Sequence, residues 1–171
     1  VDEEIGGDVS YTTEFGSLDG FRKGFIDIID DDAKHYAFSN MFEVASASKP
    51  YEKVALGKNM QYVLEVLRAE GTSEWRTCAH DEFALVMDGT IVVDLVKLDT
   101  PIRPDDAGGS VALEGEPVGS RMGRITASRG HMALLPAHSA YRFSTERPGV
   151  ILLQTVFGPD TVERWDEICL S

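Results

Sequence analysis

The sequence predicts an all-β protein: a single antiparallel barrel, closed or sandwiched, with an N-terminal arm and a short C-terminal helix. Three observations predict it. Runs rich in Val, Leu, Ile, Tyr and Phe follow one another from Lys53 to Phe157. Turn residues separate these runs, and no strand–helix–strand alternation interrupts them. With 43% apolar and 26% charged residues, the 171-residue chain has the balance of one folded domain that buries a core.

Residues 1–49 form the arm and outer elements, 50–158 the barrel and 159–171 the terminal helix. Val1 to Gly20 is acidic and weakly patterned, and an arm lying across a barrel or a partner explains it. Phe21 to Ile29 is apolar, and Asp30-Asp31-Asp32 then breaks it as a solvated turn, in preference to a cation site. Residues 35–48 mix aromatic and β-branched positions with small spacers and read as helix or strand alike. The expected strands are Lys53–Leu56, Met60–Ala69, Trp75–Met87, Thr90–Leu98, Arg121–Ser128, His131–Pro136, Tyr141–Thr145 and Val150–Phe157. Asp88-Gly89 is expected to make a tight hairpin, since Gly accepts the positive φ such turns demand. The Pro-, Gly- and acid-rich stretch between Asp99 and Arg121 has no steady period, so it reads as a long loop. Asp160 and Glu163 have the spacing of a capping box, ahead of a helical face of Val162, Trp165 and Ile168.

Charge and cysteines narrow the function. Twenty-nine acidic against 16 basic residues give −13, a field that repels phosphate backbones and anionic membranes. Cys78 and Cys169 are the only cysteines and form no CxxC. Free thiols in a reducing cytoplasm are therefore expected, without a disulfide framework or structural zinc. No apolar run has the length of a transmembrane helix, and the N-terminus is acidic, unlike a signal peptide.

The chemistry concentrates on one stretch. In Glu74-Trp75-Arg76-Thr77-Cys78-Ala79-His80-Asp81-Glu82, side chains alternate faces, so Arg76, Cys78, His80 and Glu82 share one. Four such groups suit a wet or paired interior better than a dry core, and a solvent face with Trp75 turned inward is the competing arrangement.

The spacing resembles the cupin family, whose motifs run G-x5-H-x-H-x3-4-E-x6-G and G-x5-P-x-G-x2-H-x3-N. Glu82 and Gly89 match the end of the first; Gly130 and Pro136 match the start of the second. The resemblance implies a double-stranded β-helix barrel and favours the interior reading. It also places Arg76 and Cys78 where the first motif carries ligand histidines, and Tyr141 where the second does, with His138 in the usual Gly position. Of four ligands only Glu82 remains. A guanidinium at a metal position opposes a divalent ion, and a Glu82–Arg76 ion pair is the expected replacement. A different site built from Cys78, His80, Glu82 and His138 stays open, because those residue types suit zinc or iron.

At closer range, MFEVASASKPYEKVALGKNMQYVLEVLRAEGTSEWRTCAHDEFALVMDGTIVVDLVKL and the later GHMALLPAHSAYRF and VILLQTVFGPDTVERW resemble the small subunit of two-component hydroquinone 1,2-dioxygenases of para-nitrophenol degradation. That resemblance implies a non-catalytic chain that binds no metal. The partner is a large cupin subunit carrying Fe(II), in a heterotetramer that opens hydroquinone to 4-hydroxymuconic semialdehyde. Trp75, on the face opposite Arg76 and Glu82, is then a candidate wall near the substrate, with core or interface packing the preferred explanation. Two other functions remain: a self-sufficient enzyme at a Cys78/His80/Glu82 site, and a cupin module that binds a small molecule.

Overall fold

A computed structural model describes residues 15–24, 26–31, 39–165 and 167. The chain is built around one long strand. Its elements are α1 (Met41–Ala47), β1 (Val54–Asn59), β2 (Tyr62–Thr72), β3 (Arg76–Cys78), β4 (Glu82–Asp88), β5 (Thr90–Leu98), β6 (Ser110–Ala112), β7 (Gly119–Ser128), β8 (Met132–Leu135) and β9 (Ser139–Val156). β9 pairs antiparallel with β2, β3, β4 and β5, so both walls of the barrel are anchored on it.

Helix resolves the ambiguity of the segment before Pro50, within its described part. Asn40 caps α1 by accepting the Phe42 N–H at 2.9 Å, and Glu43 stands in the first turn, where the helix end favours negative charge. Phe42, Val44 and Ala45 are buried in a cluster with Val54, Val66 and Val150, which closes the outer face of the sheet at that end. Asp30 and Asp31 lie in an exposed bend, while Asp32 and residues 35–38 fall outside the described residues.

Two expected breaks between strands are bends within longer pairings. Asp88-Gly89 is not a hairpin, because β4 and β5 do not pair with each other; both run along β9, with Asp88 opposite Val150 and Val92 opposite Ser144. Gly89, at φ 80°, supplies the kink, and a Cβ there would stand 3.2 Å from the Cα of Gly149. Likewise Tyr141–Thr145 and Val150–Phe157 are one strand carried through Pro148-Gly149, with the irregularity absorbed opposite Ala69 and Gly71. The expected strand Trp75–Met87 is instead split by a bend at Ala79-His80. The 99–121 stretch contains a short strand, β6, that pairs with β3, so part of it belongs to the sheet.

Alternation fills the interior. Leu67, Ala69, Ala84, Val86, Ile91, Val93, Leu95, Tyr141, Phe143, Ile151 and Leu153 make one apolar cluster. At one end the inward positions turn polar, with Glu65, Glu82 and Thr155 each 0% exposed. Burying two carboxylates requires compensation, and the site is built from it. In the last segment Val162 and Trp165 pack against the α1 cluster; Trp165 and Glu167 are helical, and Ile168 lies outside the described residues. Asp160 does not cap that helix, because its carboxylate is taken by the Arg76 guanidinium.

Candidate functional site

Glu82 opens β4 and points inward with Ala84 and Val86. Both its oxygens are occupied. The Tyr141 hydroxyl, from the first half of β9, donates to Oε2 at 2.6 Å, and the Thr155 hydroxyl, from the second half, donates to Oε1 at 2.6 Å. Burial first, and the Glu82 charge second, push the Tyr141 hydroxyl well above its ordinary range, so it stays a donor.

The cation beside Glu82 is not Arg76. Lys53, 4% exposed, sets its Nζ 4.0 Å from Glu82 Oε1 and 3.0 Å from Glu65 Oε2, and donates to Ser110 Oγ at 2.8 Å. Glu65 accepts the Thr161 hydroxyl on its other oxygen at 2.6 Å. Burial raises the Glu65 pKa, against the lowering pull of Lys53 and that hydroxyl. The expected Glu82–Arg76 pair is therefore corrected. Arg76 sits toward the barrel mouth, donating to Ser110 Oγ and the Ser110 carbonyl, each at 3.0 Å, and pairing with Asp160. A partly hydrated guanidinium keeps a surface partner, while the two fully buried carboxylates share the buried ammonium.

Cys78 and His80 complete the cluster although the strand breaks between them. The His80 Nε2 accepts the Val156 N–H at 3.1 Å, which assigns the ring proton to Nδ1, 3.2 Å from Cys78 Sγ. Burial pulls the His80 pKa below its ordinary value. Burial, and after it the Glu82 charge, push the Cys78 thiol up to about 12. In a Cys169→Ser chain at pH 8, Cys78 is expected to react with an aromatic disulfide reagent only as the protein unfolds. Reaction at the rate of a free thiol in the folded chain would contradict this environment. His138, at φ 59°, turns away, with Nε2 3.1 Å from Asp105 Oδ1. It takes no part in the cluster.

Donor types alone would suit a metal: ligand atoms of Cys78, His80 and Glu82 lie within 4.8 Å of one another. The full arrangement does not fit one. Each Glu82 oxygen already accepts a hydroxyl, the thiol holds its proton, and an ammonium stands at 4.0 Å where a divalent ion would be repelled. Lys53, Glu65, Thr155 and Ser110 were not foreseen. Glu65 alone carried a signal, as a carboxylate at an inward position of an alternating apolar strand.

Trp75 lies on the same face of the sheet as Ala140 and Arg142, and its own chain covers it. Leu98, Ala140 and Leu113 pack around it, its indole N–H donates to Glu116 at 3.0 Å, and the Arg142 guanidinium lies 4.4 Å above the ring.

No family model matches the chain, and no curated protein is similar to it in sequence. Solved structures are. Hydroquinone 1,2-dioxygenase PnpCD, crystallised with Cd2+ and 4-hydroxybenzonitrile, has a chain 56% identical over 96% of this chain and 100% of its own, with a TM-score of 0.91. A chain of the hydroquinone 1,2-dioxygenase from Sphingomonas sp. TTNP3, with 4-hydroxybenzoate bound, is 54% identical over 95% of this chain and 99% of its own, at 0.90. A second match within PnpCD, in its complex with Fe3+, is 13% identical; it covers 83% of this chain but 40% of that one, with a TM-score of 0.60. That likeness shows a shared fold in a much longer chain. This chain accordingly belongs to the hydroquinone 1,2-dioxygenase family, as the counterpart of its smaller subunit.

Proposed function

We propose that this chain is the non-catalytic subunit of an Fe(II)-dependent hydroquinone 1,2-dioxygenase, with the iron held by the longer subunit in a heterotetramer of two small and two large subunits. The reaction breaks a ring bond between a hydroxylated carbon and its neighbour. Both atoms of O2 enter the product, 4-hydroxymuconic semialdehyde, so no external reductant is consumed. When bound, iron supplies the centre at which the phenol and O2 meet. The observation that carries the assignment of that centre to the partner is Lys53, whose ammonium stands beside the one carboxylate retained from a cupin ligand set.

What this chain contributes is shape. Its barrel interior is filled, with Tyr141, Phe143, Leu135, Ile151 and Leu153 almost wholly buried, which leaves little room for a ligand module. The outer face of the sheet carries Leu64, Phe83, Met132 and Leu134, between 38% and 63% exposed. Register sets Phe83 beside Leu134, with Gln154 between Phe83 and Leu64. An apolar face of this kind supports a subunit partner, here the longer chain.

The test is direct. Co-expression with the longer subunit is expected to yield a stoichiometric complex that consumes O2 with hydroquinone. This chain purified alone should retain no iron and consume none. Near one iron per isolated chain, lost on mutation of His80, would overturn the assignment. For Trp75, the reading is a supporting wall of the assembled substrate site. Trp75→Ala in the complex should raise KM for hydroquinone roughly 2- to 10-fold, the worth of one aromatic contact. A lowered Tm with unchanged KM would reduce Trp75 to packing.

A further inference from the structure

The polar end of the barrel contains more than a lost metal site. Cys78, His80 and Glu82 converge within 4.8 Å, a trio of soft, borderline and hard donors that transition metals accept. Glu65 lies beside them, bridged to Glu82 through Lys53 at 3.0 and 4.0 Å. Its buried Oε2 is compensated by the Lys53 ammonium 3.0 Å away. A hydroxyl or amide would satisfy that oxygen by direction; a cation satisfies it by charge, which is what a bound ion would also do.

We propose that Lys53 is a resident cation that plugs a latent transition-metal site formed by Cys78, His80 and Glu82. The ammonium sits among the carboxylates and is anchored from behind by Ser110 Oγ at 2.8 Å. Ser110 is in turn gripped by Arg76, whose own charge is directed to Asp160. The plug is thus held in register by β6 and β3 together, while the donors come from the end of β3, the bend after it and the start of β4. An ammonium supplies one positive charge and three donors without open coordination positions. It therefore settles the buried carboxylates and supports no redox chemistry. This rests on the reading that the native barrel of this chain holds no metal.

Co2+ is the probe, because a cobalt–thiolate bond gives a charge-transfer band in the near ultraviolet. The full-length native chain, Lys53→Ala, and Lys53→Ala/Glu65→Gln are titrated with Co2+ alone and followed by absorbance and equilibrium dialysis. The double variant removes the ammonium with one carboxylate, so the buried charge stays balanced. At least one variant is expected to bind one Co2+ per chain, at least about a hundredfold tighter than the native chain. Adding Cys78→Ser should abolish the band. Folded variants that bind no Co2+ would overturn the proposal, as would variants that stay unfolded with and without Co2+. Variants that fold only when Co2+ is present would support it, since site formation is then coupled to folding. A charge-transfer band in the native chain is a separate outcome: it would overturn the metal-free reading itself.

Discussion

Lys53→Met is expected to destabilise the chain by about 3–5 kcal/mol, the usual cost of removing one partner from a buried ionic group. At a few degrees per kcal/mol for a domain of this size, Tm should fall by roughly 6–20 °C. The reason is local. Glu65 and Glu82 are both 0% exposed, and Lys53 is the buried cation within 4.0 Å of each. Met replaces the stem and its packing but not the charge, so the loss is electrostatic. The effect should also depend on pH. Glu65 already has a raised folded pKa through burial, with Lys53 pulling it down. A carboxyl raised above its unfolded value of about 4.3 contributes stability that is complete below that value and is lost as pH rises through the folded pKa. Without Lys53 the folded pKa of Glu65 rises further, so the deficit of Lys53→Met should be larger at pH 8 than at pH 5. Urea unfolding of native and variant chains at both pH values measures it. Equal deficits would show that Lys53 acts through packing, and a neutral substitution would remove the ion group from the stability of the barrel.

Phe143→Ala is expected to cost about 3–5 kcal/mol as well, for a different reason: it opens a cavity where both walls meet. Phe143 is 1% exposed, stacks on Tyr51 with centroids 6.4 Å apart and leans on Tyr141 at 5.3 Å. Truncation would loosen Tyr141, and with it one of the two hydroxyl donors that hold Glu82. The loss should therefore exceed that of Phe83→Ala, whose ring is 38% exposed, by at least about 2 kcal/mol. Thermal unfolding of the two variants side by side decides it. Similar losses would mean that the interior is looser than its burial indicates.

Thr90–Leu98 was legible from end to end, because a nine-residue run rich in β-branched residues sets Ile91, Val93 and Leu95 on one unbroken apolar face. Pro148-Gly149 and Asp88-Gly89 misled for one shared reason. Their local chemistry is that of turns, yet β9 pairs with β2 on both sides of Pro148-Gly149, and with β4 before and β5 after Asp88-Gly89, which converts both into bends. The cluster at Ala79-His80 was read as strand because its apolar pattern runs on; the interruption shows only in which partner each side finds, β9 and β6 for Arg76 and Thr77, β8 and β9 for Glu82 and Phe83.

By itself the sequence determined the barrel, the inward parity of Cys78 and Glu82, and the presence of a phenol rather than an imidazole at Tyr141, since alternation and spacing are properties of the chain alone. Only the tertiary structure decided which cation meets Glu82. Arg76 is nearer in sequence and of the right charge, but Lys53, from the segment entering β1, is the one enclosed with the carboxylates when the sheet curls. In a low-dielectric interior, enclosure outweighs sequence proximity, because water screens the guanidinium at the mouth and not the ammonium within.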